Sequence, residues 1–185
     1  MSDTVIGVIM GSYRRESFSR KIANHLVEQL PQGYNASFIS AEKLPMYNQD
    51  LDSNGNVPLE WLDFREQLDK VDAFLFVTPE HNRSFPAVMK NALDVGSRPY
   101  GSNKWSGKPA VVVSVSPGKI GGFGANHHLR QTLVFLNVAV MPQPEAYVGE
   151  VTSMLAEDGS VASESARGFL QSVVDAFVLW IKRLS

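Results

Sequence analysis

Three short apolar runs constrain this chain more than anything else in it: Val5-Ile6-Gly7-Val8-Ile9-Met10, Ala73-Phe74-Leu75-Phe76-Val77 and Ala110-Val111-Val112-Val113-Ser114-Val115. Runs this brief and this continuous suit strands covered on both faces, as in a parallel sheet. Each ends in glycine, serine or proline, and each is followed by a segment with helical spacing. After the first, Ile22, Ala23, Leu26, Val27 and Leu30 recur along one helical face until Pro31 and Gly33 stop the pattern. Further helices are predicted from Pro58 to Val71, over Ala87 to Val95, from Ala125 to Asn137 and from Glu164 to Leu184, with Asp50 to Asn56 a polar, turn-rich connection. Ala36 to Ile39 and Val138 to Met141 supply two weaker strands, the last stopped by Pro142. Five strands alternating with helices predict an α/β domain, a doubly wound parallel sheet in the order 2-1-3-4-5, with residues 1–185 forming one domain.

That strand order brings three unusual loops to one crevice: Gly11 to Ser19, Pro79 to Ser84 and Ser116 to Gly124. The first reads as a phosphate cradle. A buried strand ends at Gly11, and the following helix aims its unpaired N–H groups into the turn. Ser12, Ser17 and Ser19 add hydroxyls, and Arg14 adds a guanidinium fork suited to phosphate oxygens. Neither G-x-x-x-x-G-K-[ST] nor G-x-G-x-x-G follows the strand, which argues against a P-loop NTPase and a dinucleotide fingerprint. The other reading of the same residues is an ordinary strand-to-helix turn with a serine N-cap. If the cradle holds, a flat ligand bearing a phosphate fits the crevice, its ring lying between the second and third loops.

Composition removes several classes of function. Lys+Arg 17 against Asp+Glu 19 leaves a net charge of -2 without a basic block, so neither nucleic acid nor an acidic membrane is an expected partner. With Cys 0 there is no thiolate chemistry, and no apolar run approaches the roughly 20 residues of a bilayer span. Together with the lack of a signal-peptide pattern, these features predict a soluble, cytoplasmic protein. His127 and His128 are neighbours on a helix, about 100° apart, and cannot chelate as an i, i+4 pair would. Glu42 with Asp50, and Asp69 with Asp72, read as solvated charges, and no G-x-S-x-G elbow activates Ser12 or Ser116. Trp61, Trp105 and Trp180 read equally as core or interface residues, the last two being candidate contacts for oligomer assembly.

The motifs together resemble the NADPH-dependent FMN reductases of flavodoxin-like fold, in particular their bacterial quinone and chromate reductase branch. The resemblance rests on Gly11-Ser12-x-Arg14-x-x-Ser17-Phe18, Thr78-Pro79-Glu80-x-Asn82-x-Ser84, Lys90-Asn91-Ala92-x-Asp94, Gly107-Lys108-Pro109, Gly121-Gly122 and His128 to Leu133, and spans nearly the whole chain. It implies that Ser12, Arg14, Ser17, Phe18 and Ser19 bind the FMN phosphate. It also implies that Pro79, Glu80, His81, Asn82 and Arg83 run past the isoalloxazine and that Ser116 and Gly118 approach its other edge. No catalytic side chain is implied, because flavin N5 carries the chemistry. NADPH or NADH would give up hydride and leave, and a small-molecule acceptor such as a quinone, an azo compound, chromate or free flavin would take its place in a ping-pong cycle. A homodimer or homotetramer is implied as well. Tyr is common in the family where His81 stands, and Tyr or Gly where Arg83 stands. Arg83 can thus be read as favouring anionic acceptors or the cofactor phosphate, or as an interface ion pair. Two other functions share the fold, an electron carrier without nicotinamide activity and a phosphoacceptor module. The carrier usually shows an acidic face, whereas Arg14, Arg83 and Lys119 surround this crevice; the phosphoacceptor needs acids at the strand ends, whereas Met10-Gly11 end the first strand.

Overall fold

In a computed structural model, which describes residues 3–53 and 55–185, the three apolar runs form the centre of a parallel sheet. Strands β1 (Thr4–Met10), β2 (Tyr34–Phe38), β3 (Ala73–Pro79) and β4 (Pro109–Val115) lie in the order β2-β1-β3-β4. Alternation along each strand divides its side chains between two cores. Ile6, Val8 and Met10 of β1, Leu75 and Val77 of β3, and Val111, Val113 and Val115 of β4 pack under α1 (Phe18–Glu28) and α7 (Glu164–Leu184). Ile9, Phe74, Phe76, Ala110 and Val112 face α3 (Leu59–Asp69), α4 (Ala87–Gly96) and α5 (Phe123–Phe135). The side-chain period of two therefore leaves no polar face on these strands, which is why they read as unbroken apolar runs.

The fifth strand position is filled differently from the expectation of one strand over 138–141. It is shared by two short pieces, β5 (Ala139–Val140) beside Pro109 and Ala110, and β6 (Ala146–Val148) beside Val113 to Val115. Pro142 and Pro144 lie between them, and proline has no N–H to donate to a ladder. The sheet thus has six strands rather than five, with the expected order retained. The polar stretch 50–56 opens as a one-turn helix, α2 (Gln49–Ser53); Asn54 lies outside the described residues. A second short helix, α6 (Val151–Met154), follows β6.

Trp105 is a core residue and not an assembly contact. It is fully buried, donates from Nε1 to the Leu93 carbonyl at 3.1 Å, and packs against Phe74 at 4.8 Å between centroids. Gly96 makes room for it, since a Cβ there would stand 2.6 Å from the indole. Trp180 is half-buried, its Nε1 donating to the Ala139 carbonyl at 2.7 Å.

Register fixes where the loops emerge. Met10 pairs with Val77, Val77 with Val113, and Pro79 with Val115, so β1, β3 and β4 all finish at one edge of the sheet.

Candidate functional site

The first loop leaves β1 through Gly11, whose N–H still donates to the Val77 carbonyl at 2.9 Å. A Cβ at this position would stand 2.8 Å from Thr78 Oγ1 and 3.0 Å from Pro79 Cδ, so glycine lets the loop cross β3 closely. Ser17 caps α1, its Oγ accepting from Arg20 N at 3.3 Å, while its N–H donates to the Arg14 carbonyl at 3.1 Å. The N-cap reading is therefore correct, and it leaves the cradle open. Among the described residues, the N–H groups of Ser12, Tyr13, Arg14, Arg15, Glu16, Phe18 and Ser19 meet no protein acceptor. Arg14 is exposed and lies over the Phe18 ring at 5.4 Å, with no carboxylate within ion-pair distance among the described residues. The one acid of the loop, Glu16, is held by Lys21 at 3.1 Å. A run of unpaired N–H groups, the Ser12 hydroxyl and an uncommitted guanidinium make a donor set that fits a phosphate dianion. Tyr13 fixes the far wall, its hydroxyl accepting from Ala41 N at 2.6 Å, and burial pushes its pKa up.

The second loop is a two-residue hairpin. His81 and Ser84 exchange backbone hydrogen bonds at 2.8 and 2.9 Å, and the central residues Asn82 and Arg83 both have positive φ, 51° and 65°. This is the type I′ pattern, which asparagine tolerates and arginine adopts at a cost of about 1 kcal/mol. Packing holds the turn. A Cβ on Gly124 would lie 2.5 Å from the Arg83 carbonyl oxygen, so the turn rests directly on the start of α5. Glu80 does not turn toward the crevice with its carboxylate. Its Oε2 accepts from Ala125 N at 3.1 Å, capping a helix whose N-cap residue, Gly122, has no side chain to do so. What the loop presents to the crevice is backbone, since the N–H groups of Glu80, Asn82 and Arg83 have no protein acceptor among the described residues.

The third loop is closed on itself. Ser116 N donates to the Val148 carbonyl at 2.9 Å, its Oγ accepts from Gly118 N at 3.1 Å, and the Gly118 carbonyl accepts from Gly121 N and Glu150 N, each at 3.2 Å. Ser116 and Gly118 therefore offer surface and one hydroxyl rather than free backbone donors. Lys119 and Ile120 stand exposed at its tip. Gly121 and Gly122, at φ 64° and 77°, turn the chain into α5.

Behind the loops lies a polar cluster that the motifs did not reveal. Asn126 Nδ2 donates to the Val112 and Ala146 carbonyls at 3.3 and 3.2 Å, Ser114 Oγ donates to the Gly121 carbonyl at 2.7 Å, and Arg130 Nε donates to Asn126 Oδ1 at 2.7 Å. These bonds tie β4, β6 and α5 to the glycine loop. Their one trace in the sequence is a polar residue, Asn126, in helical phase with Leu129 and Leu133. His127 Nε2 lies 2.7 Å from the Tyr147 hydroxyl and its ring 4.3 Å from that of Phe123. Burial and the Glu145 carboxylate push the Tyr147 pKa up to about 12. The folded state thus holds the phenol proton more tightly than the unfolded chain does. Its contribution is present below pH 10 and is lost as pH rises from there toward 12. Alkaline titration at 295 nm should show two tyrosines later than the rest, Tyr13 and Tyr147, and Tyr147→Phe should remove one of them. Among the described residues, no group of three His, Cys, Asp or Glu side chains could hold a metal, and no helix is long and apolar enough to cross a membrane.

Known proteins share both sequence and fold with the chain. Residues 4–153 match the NADPH-dependent FMN reductase family. A quinone reductase from Pseudomonas putida is 50% identical over 177 residues, covering 96% of this chain and 94% of the relative. A 2-hydroxy-1,4-benzoquinone reductase from a Burkholderia species is 39% identical, covering 96% of each. Among solved structures, the flavoenzyme NAD(P)H:(acceptor) oxidoreductase FerB from Paracoccus denitrificans superposes with a TM-score of 0.90 at 38% identity, covering 97% of this chain and 98% of its own.

Proposed function

The chain belongs to the NADPH-dependent FMN reductase family, and from that premise we propose that it is a quinone reductase whose three loops divide the work of holding FMN and its substrates. The net reaction is quinone + NAD(P)H + H⁺ → hydroquinone + NAD(P)⁺. FMN, when bound, supplies the relay that takes hydride from the nicotinamide and passes two electrons to the acceptor. One observation carries the reading. The first loop offers a line of unpaired N–H groups and an unpaired Arg14, at the same sheet edge as a rigid hairpin whose own N–H groups are unpaired.

In this reading Ser12, Arg14, Ser17, Phe18 and Ser19 bind the FMN phosphate. Arg14 gives the charge; Ser12 gives a hydroxyl; Phe18 and Ser19 give N–H groups at the positive end of α1. Ser17 acts by shaping the helix start, because its Oγ is already engaged by Arg20 N. Pro79, Glu80, His81, Asn82 and Arg83 flank the isoalloxazine mainly with main chain, and the unpaired N–H groups orient the ring and favour electron density at its reactive nitrogen. Ser116 and Gly118 close the other edge by shape. No side chain is needed as general acid or base. Arg14→Ala should weaken FMN binding by about 1–3 kcal/mol, the scale of a lost charge-assisted hydrogen bond. A fluorescence titration of the variant with FMN checks it, and unchanged affinity would remove Arg14 from the phosphate site.

The reading also includes a cytoplasmic homodimer or homotetramer. Val134 and Phe135 on α5 and Tyr100 after α4 leave apolar surface exposed, and sedimentation equilibrium should give the mass of two or four chains rather than one.

The deciding experiment is the visible spectrum of protein reconstituted with FMN and desalted, before and after anaerobic NADPH. Retained flavin bands that bleach with NADPH are expected. Retained flavin that neither NADPH nor NADH bleaches would instead make the protein an electron carrier.

A further inference from the structure

Arg83 occupies a backbone position where arginine is a poor choice. Its φ of 65° would be relieved by glycine or asparagine, and the turn around it is held by its own two hydrogen bonds and by contact with Gly124. An outlier of this kind points to a use for the side chain. The side chain itself is uncommitted: it is 75% exposed, and its one ion pair, to Glu80 Oε1 at 3.4 Å, is long. Glu80 is meanwhile engaged through its other oxygen as the cap of α5. In the third loop, Lys119 is exposed and has no carboxylate within ion-pair distance among the described residues. Acids beside these loops include Glu80, so engaged, Glu150, exposed beside the third loop, and Glu145, next to the Tyr147 that packs on Gly121. These acids offset the formal charge of Arg83 and Lys119, but neither cation has a short ion pair: Lys119 has none within range among the described residues, and Arg83 has only the long one to Glu80. His81 is exposed in the same turn.

Building on the quinone reductase reading, we propose that Arg83, with Lys119 from the third loop, selects electron acceptors that carry a negative charge beside the reducible ring, such as quinones bearing a carboxylate or an ionised hydroxyl. The fixed turn sets where the side chain starts, and its planar guanidinium fork suits a carboxylate. The carboxylate of a bound acceptor exchanges with the long Glu80 contact and leaves the α5 cap intact.

The test compares a benzoquinone carboxylate with its methyl ester as acceptors for the FMN-loaded protein, as the ratio of their kcat/KM values. Arg83→Gln should lower that ratio about tenfold, Arg83→Lys should keep part of it, and salt raised to about 0.5 M should shrink the wild-type ratio. Calorimetry with 4-hydroxybenzoate, which cannot be reduced, should show a matching loss of affinity in Arg83→Gln. An unchanged ratio and affinity would overturn the proposal. So would a rise confined to the KM for NADPH relative to NADH, which would assign Arg83 to the dinucleotide phosphate, or a loss of oligomer, which would assign it to an interface. If the wild type reduces neither quinone, the functional reading fails, while the calorimetric comparison still decides whether Arg83 binds anions.

Discussion

Asp52→Ala should lower the stability of the protein by about 3–5 kcal/mol, the range for stranding one partner of a buried ion pair. Asp52 sits in α2 and meets Arg65 of α3 through two parallel hydrogen bonds of 2.9 and 2.7 Å, with the side chains only 5% and 7% exposed. Arg65 also donates from Nε to the Val95 carbonyl at 2.9 Å and lies 5.6 Å from the centre of the Trp61 ring. Removing the carboxylate leaves the guanidinium in place, kept from water by α4 and the indole. Urea unfolding followed by far-UV circular dichroism should show the midpoint fall with the slope unchanged. The double variant Asp52→Ala/Arg65→Met should recover much of the loss, because replacing both charges by apolar atoms removes the desolvated ion. A loss below about 1 kcal/mol in the single variant would mean that water reaches Arg65 and that the pair acts as a surface bridge.

Gly121→Ala should cost about 2–4 kcal/mol and weaken FMN binding with it, combining left-handed strain with a backbone collision. At φ 64° an alanine Cβ would lie 2.7 Å from the Tyr147 carbonyl carbon and 2.9 Å from Gly149 N. Neither neighbour is a side chain that can rotate away, so β6 and the third loop must separate. The same loop holds its own control. A Cβ on Gly118 meets only Ser116 Oγ, at 3.5 Å, so Gly118→Ala should stay within about 0.5 kcal/mol of the wild type. Urea midpoints and FMN titrations of the two variants test the contrast; equal effects would show that the loop can move as a unit.

β3 and β4 were legible because both of their faces are covered, so their sequence needs no polar alternation and their ends show as abrupt changes of composition. The strand order and the meeting of three loops at one edge followed from that. β6 was not legible, since Ala146 to Val148 is too short to show a period and its partner, the second half of β4, is 31 residues or more away in the chain. The Asp52–Arg65 pair joins a segment that reads as a polar, turn-rich connection to one that reads as helix, and nothing local marks Asp52 as buried. At the site, the sequence pointed to Ser12, Arg14 and Ser17 through their side-chain chemistry. It could not separate the two jobs of Glu80, whose main chain faces the crevice while its carboxylate caps α5, because the missing cap at Gly122 becomes apparent only when the helix start is placed beside it. Trp105 stayed open between core and interface for a related reason: an aromatic in a polar connection fits either until Gly96 reveals the slot it fills.

The division of the fifth position into β5 and β6 also bears on how one border of the sheet avoids pairing with a strand of another molecule. The outermost strand of an open sheet carries a row of unmatched donors and acceptors on which another chain's strand can template, the first step toward aggregation. Here that border consists of pieces of two and three residues, separated by Pro142 and Pro144. Neither piece offers enough continuous ladder to recruit a stranger, and α7 lends Trp180 to the Ala139 carbonyl. The same interruption that broke the strand signal in the sequence leaves the sheet with a blunt margin.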